Sequence, residues 1–216
     1  MTHTLRTLAL PIAALTATLA LTSCGTSSNG VRNTTGMGGA SSSAPVASGT
    51  PAVGDKNKDD TLFATMMIPH HAQAIAMADL ALKQATDTKV MALAPKIKGA
   101  QGPEIARMSG WLTGWGAPVP GTAGGSDMSG MSGMGGETGG MMSAQQMTDL
   151  GTAKGSAFDR MWLRMMVIHH QGAVAMAKVE LTQGANPEAK QLAQAIIDSQ
   201  SAEIAEMSSI LTGIPG

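Results

Sequence analysis

The chain contains two copies of itself. Residues 60–114 align with residues 159–213 without a gap, at a displacement of 99 positions, and about 23 of the 55 aligned residues are identical. A repeat this clean marks each copy as one supersecondary unit. Such a unit cannot bury its apolar stripe alone, so the two should pack together about a pseudo-twofold axis. In the second copy Phe158, Trp162, Met165, Met166, His169, His170, Ala173, Met176 and Ala177 step by three or four, the period of a helix that ends near Gly184. Asn186-Pro187 then supplies an N-cap and a first-turn proline for a second helix. Leu192, Ile196, Glu203, Met207, Ile210 and Leu211 continue its period to a stop at Gly213. The first copy follows the same plan, but Pro69, Pro95 and Pro103 lie inside its helical pattern, where kinks or breaks are expected. Ser143 and Gln146 form a capping-box pair that should open a short extra helix. Two helical hairpins, residues 58–115 and 143–216, predict an all-α, four-helix bundle forming one domain.

The remaining sequence reads as leader and linkers. Residues 1–23 have Arg6 followed by an apolar run from about Leu8 to Leu21, the pattern of an export signal rather than a spanning helix. The run ends Leu21-Thr22-Ser23-Cys24, which resembles a bacterial lipobox and implies lipidation of Cys24. That would anchor the protein to the extracytoplasmic face of the cell membrane without crossing it. Residues 24–57 are rich in Ser, Gly, Thr, Pro and Ala and should form a disordered tether. Residues 116–142 form a Met/Gly-rich linker in which Met128, Met131 and Met134 recur every third position. The formal charge is −1, which gives no basis for nucleic-acid binding. Cys24 is the only cysteine, so neither an internal disulfide nor a thiolate metal site can form.

The repeat also duplicates unusual chemistry. Beyond the leader every histidine falls in His70-His71 or His169-His170. Met66-Met67 and Met165-Met166 precede the pairs by one turn, and Met77 and Met176 follow. Neighbouring residues lie about 100° apart on a helix. One imidazole of each pair can therefore face the bundle axis while the other faces a helix–helix groove. The second helices add Gln101 and Glu104, or Gln200 and Glu203, with Met108 or Met207 a turn later. Methionine at helical spacing usually fills a core, and there are 18 methionines against two Phe and no Tyr. Burying imidazole twice beside sulfur is harder to ascribe to packing alone. Imidazole with thioether favours Cu(I) and its analogue Ag(I), and Met128, Met131 and Met134 could wrap sulfur around a further ion. A competing reading has Glu104 and Glu203 satisfying the imidazoles by hydrogen bonding in a metal-free core.

The blocks Asp60-x-x-Phe63-x-x-Met66-Met67-Ile68-Pro69-His70-His71 and Asp159-x-x-Trp162-x-x-Met165-Met166-Val167-Ile168-His169-His170, with Gln101-x-x-Glu104-Ile105 and Gln200-x-x-Glu203-Ile204, resemble the signature of domain-of-unknown-function family 305. The resemblance covers roughly residues 58–213. It implies a ferritin-like four-helix bundle, commonly exported, some of whose members bind copper or silver through Met and His. Carried over, it points to His70, His71, His169, His170, Met66, Met67, Met77, Met165, Met166 and Met176 as ligands. The expected function is copper sequestration or delivery to an unknown partner, without turnover. A di-metal oxidase holding iron or manganese through Asp60, Glu104, Asp159 and Glu203 together with the paired histidines is one alternative, although the Glu-x-x-His steps of such enzymes are missing. An envelope module that docks a partner without metal is the other.

Overall fold

The computed structural model describes residues 55–121 and 139–215. The leader, Cys24, most of the tether, and Met128, Met131 and Met134 lie outside the described residues. Five helices make up the described chain: α1 (Lys58–Gln84), α2 (Thr88–Gly114), α3 (Ala144–Thr152), α4 (Gly155–Gln183) and α5 (Pro187–Gly213). None of the described helices is long and apolar enough to cross a membrane.

Local chemistry sets the boundaries. Asn57 opens α1 with a capping box completed by Asp60, Asp87 caps α2, and Asn186 with Pro187 opens α5. The expected Ser143/Gln146 box caps α3. The prolines do not divide the first hairpin: α1 continues through Pro69, and α2 through Pro95 and Pro103. Tertiary packing outweighs the lost hydrogen bonds at Pro69, which is itself buried.

Helix α1 packs on α2 and α4 on α5, and the hairpins meet chiefly through α1 and α4. Two buried aspartates lock this arrangement reciprocally. Asp60, near the start of α1, accepts hydrogen bonds from the backbone N–H groups of Ala185 (3.0 Å) and Asn186 (2.8 Å) in the α4–α5 turn. Asp159, near the start of α4, accepts from the backbone of Thr86 and Asp87 in the α1–α2 turn and from the Thr86 hydroxyl (2.5 Å). Each helix start thus grips the far end of the other hairpin, so α1 and α4 run antiparallel. The 99-residue displacement maps one set of contacts onto the other.

Two apolar cores result. One joins the first half of α1 to the second half of α4, with Phe63, Met67, Ile68, Met108, Leu112, Ala173, Leu192 and Ile196 buried in it. The other joins the second half of α1 to the first half of α4, around Met77, Leu93, Ile97, Phe158, Trp162, Met166 and Met207. Between them, at mid-helix, lies a layer of polar side chains that contains all four paired histidines.

The seam at Asp60 carries one asymmetric group. Glu180, 1% exposed, sits where the first copy has Ala81. Neither of its oxygens receives an N–H or O–H from elsewhere in the protein. Burial, followed by the hydrogen bond and charge of Asp60, pushes its pKa up to about 8. Burial alone would also raise Asp60, but hydrogen bonds from Asn57, Asn186, Glu180 and Ala185 outweigh it and hold Asp60 below its usual range. The pair therefore shares the proton that Glu180 keeps. Between the ordinary 4.5 of a free Glu and about 8, the folded chain holds a proton that the unfolded chain has lost. Stability should therefore fall as pH rises through that window and level off above it. Glu180→Gln should raise Tm by at least ~3 °C at pH 8.5, taking ~2–4 °C per kcal/mol for a chain this size, and should match the wild type near pH 4.5. Parallel Tm–pH curves for the two proteins would contradict the shared proton.

Candidate metal centre

The duplicated His-His pairs divide their tasks as helix geometry requires. His70 on α1 and His169 on α4 meet across the hairpin interface, with ring centroids 3.7 Å apart and planes inclined at 38°. His71 and His170 turn instead into the groove of their own hairpin. There the Nε2–H of His71 donates to Glu104 on α2, and that of His170 to Glu203 on α5, each at 2.7 Å. All four rings are buried, at 1% exposure or less. Gln101 and Gln200, one turn before the glutamates, complete the layer, and their buried side-chain carbonyls have no hydrogen-bond partner.

This layer is short of partners. Nδ1 of His70, His71 and His170 and both ring nitrogens of His169 are buried without a hydrogen bond. Leaving a buried polar atom unpaired costs about 1–3 kcal/mol, so five such nitrogens in one layer call for an occupant. Burial also keeps the central rings uncharged. It is the main cause that lowers His70 to about 3, with the neighbouring His71 adding to it. His169 is driven well below 6.5, again by burial first and then by His70. At neutral pH both rings are therefore lone-pair donors with no proton to expel.

His70 donates through Nε2–H to the backbone carbonyl of Gly139 at 2.9 Å. That bond places the proton on Nε2 and leaves the Nδ1 lone pair free. The carboxylate partners of His71 and His170 select the same tautomer, an arrangement that orients metal-binding imidazoles. Glu104 and Glu203 therefore act as the hydrogen-bond partners that the competing sequence reading assigned to them.

The methionines do not form one sulfur cage around the rings. Met67 is buried in the core that starts with α1; Met77, Met165 and Met166 are buried in the other. Met66 and Met176 line a shallow cleft of about 220 Å³ between α1 and α4, together with Leu62, Phe63, Val179, Asp59 and Glu180. At the pseudo-symmetric position Phe158 and Trp162 are buried to 0% exposure, which fills the equivalent space around Met165 and Met77.

Asp60 and Asp159 stand apart from the imidazoles. Their oxygens are taken up by turn N–H groups, about ten residues and ~15 Å along the helix from the histidines. Among the described residues no group of three or more His, Cys, Asp or Glu side chains is arranged to hold a metal. Sequence reasoning also missed Gln73 and Gly172, which contact residues 139–142 beside the rings. Their signal was a mismatch two residues after the His-His pairs, Gln in one copy against Gly in the other.

A family model, Domain of unknown function (DUF305), matches residues 60–211. Among solved structures, a predicted secreted DUF305 protein from Streptomyces coelicolor is 32% identical with a TM-score of 0.63, covering 72% of this chain and 93% of its own. A DUF305 fragment from Deinococcus radiodurans is 31% identical with a TM-score of 0.64, covering 74% of this chain and 99% of its own. CopM in its Cu(II)-bound form is 37% identical with a TM-score of 0.59, covering 71% of this chain and 96% of its own. CopM has also been solved in Cu(I)-bound and Ag-bound forms. No curated protein matches the chain. With the family signature spanning both hairpins, the chain belongs to the DUF305 family.

Proposed function

We propose that this protein is an extracytoplasmic, lipid-anchored metal carrier that holds Cu(I), or Ag(I) as its analogue, through the imidazole layer and neighbouring thioethers. It sequesters or hands on the ion and performs no turnover. The observation that carries this reading is the group of five buried imidazole nitrogens without partners. Metal-bound forms of CopM, with Cu(I) and with Ag, support it. The donor chemistry fits: neutral imidazole accepts several metals, and thioether narrows the choice to soft monovalent ions. His70 and His169 would supply the central nitrogens, and Met66 and Met176, on the same two helices, offer part-buried sulfurs at a surface cleft. His71 and His170 offer further nitrogens held in register by Glu104 and Glu203.

A Cu(I) competition titration against a chromophoric chelator tests the reading, using the mature chain and a variant lacking residues 122–138. A tight class of sites should survive the deletion. Loss of all tight binding would move the function to the linker. Glu104→Gln with Glu203→Gln keeps the side-chain size but removes the carboxylates that orient His71 and His170. Affinity in the tight class should fall ~10–100-fold, and an unchanged affinity would show that these histidines are not ligands.

A further inference from the structure

The pseudo-twofold symmetry of the imidazole layer is broken by one short segment. Residues 139–142, just before α3, lie directly against α1 and α4 beside the histidines. Gln73, one turn after His70 and 5% exposed, binds this segment with both ends of its amide. Its Nε2–H donates to the Met142 carbonyl at 2.8 Å, and its Oε1 accepts from the Met142 N–H at 2.6 Å. The side chain thereby replaces a neighbouring strand for one residue of backbone. On the other wall the aligned position is Gly172, where a Cβ would overlap the Gly139 carbonyl and approach the Gly140 Cα to 2.9 Å. Gly140 is in the left-handed region at φ +74, and a Cβ there would lie 2.5 Å from the Ile168 carbonyl oxygen. Met142 is buried in the core below. One copy thus supplies the clamp and the other the notch, and the seated segment presents the Gly139 carbonyl to His70 Nε2.

We propose that residues 139–142 are a fixed strap over the imidazole layer, and that Gln73 and Gly172 are positioning residues that commit His70 Nδ1 to a soft metal ion. The strap gives the two central rings different roles. His70 is held in one tautomer and one orientation. His169, with neither ring nitrogen bonded, is the ring free to adjust as an ion enters. Only the link to the ion rests on the copper-binding reading; the seating of the strap and the tautomer of His70 stand without it.

The test uses the intact mature chain and two variants, Gly172→Ala and Gln73→Leu. In metal-free protein, nitrogen-15 NMR of the imidazoles should show His70 protonated at Nε2. Both variants should lose that single-tautomer signature while helical circular dichroism is retained. Replacing a helical glycine with alanine ordinarily stabilises a helix, so the sign of the Gly172→Ala effect is diagnostic. A Tm below wild type is expected, because the strap must lift. A higher Tm with an unchanged His70 spectrum would overturn the proposal, as would a wild-type His70 protonated at Nδ1. With Ag(I) as probe, both variants should bind at least tenfold more weakly. If the NMR and Tm outcomes hold but the wild type binds no Ag(I) or Cu(I), the copper reading fails and the strap stands. If the wild type binds tightly and the variants bind equally well, the strap does not position the site.

Discussion

Replacing His70 and His169 together with leucine should abolish the tightest Cu(I) binding while leaving the metal-free protein as stable as the wild type, or more so. The two effects oppose each other because the rings serve binding rather than folding. In the metal-free state they bury three unpaired nitrogens and meet at a tilt, with centroids 3.7 Å apart, in a site that denies them charge. An apolar side chain of similar volume removes those three orphaned atoms, and the single hydrogen bond given up, from His70 to the part-buried Gly139 carbonyl, offsets only part of that gain. The loss of affinity should exceed the ~10–100-fold expected from disturbing only the groups that orient a ligand. Thermal melts and chelator competition on the same preparation check both halves. A double variant that unfolds would mean the layer is structural, and one that binds as tightly as the wild type would place the ion elsewhere.

Asp60→Ala and Asp159→Ala should each destabilise the fold strongly and leave metal affinity per folded molecule unchanged. Asp60 satisfies the N–H groups of Ala185 and Asn186 as well as that of Asn57. Asp159 satisfies Thr86 and Asp87. Removing either carboxylate leaves two or more buried donors unpaired at the point where the hairpins are fastened, at ~1–3 kcal/mol for each. A loss of roughly 3 kcal/mol corresponds to ~6–12 °C in Tm. The same variants address the oxidase alternative. If Asp60 and Asp159 were metal ligands, their removal would weaken binding directly, and iron or manganese would leave the protein purified from its native host.

Much of this architecture was legible in the chain. The gapless repeat, the Asn186-Pro187 restart and the Ser143/Gln146 box give the helices nearly to the residue, because capping chemistry is local. The division of each His-His pair between interface and groove follows from the angle between successive helical residues. Proline was misleading: Pro69, Pro95 and Pro103 are accommodated within continuous helices, since packing along α1 and α2 outweighs a local penalty that the sequence alone suggests. The aspartates drew attention as identical acidic residues, but their partners are turn N–H groups about 70 and 125 positions away. No short-range pattern reports such contacts. The strap was hidden for a similar reason. It depends on Gln73 and Gly172 being different, whereas a repeat draws the eye to what is the same.

X-ray absorption at the copper edge of the Cu(I)-loaded intact chain, compared with the His70→Leu/His169→Leu variant, tests most directly whether the buried imidazole layer is the metal site. The wild type should show imidazole nitrogen together with sulfur around copper, and the variant should lose the nitrogen contribution along with its tight binding. A spectrum of sulfur ligands alone, identical in both proteins, would contradict the account and assign the copper to methionine clusters outside the bundle's polar layer.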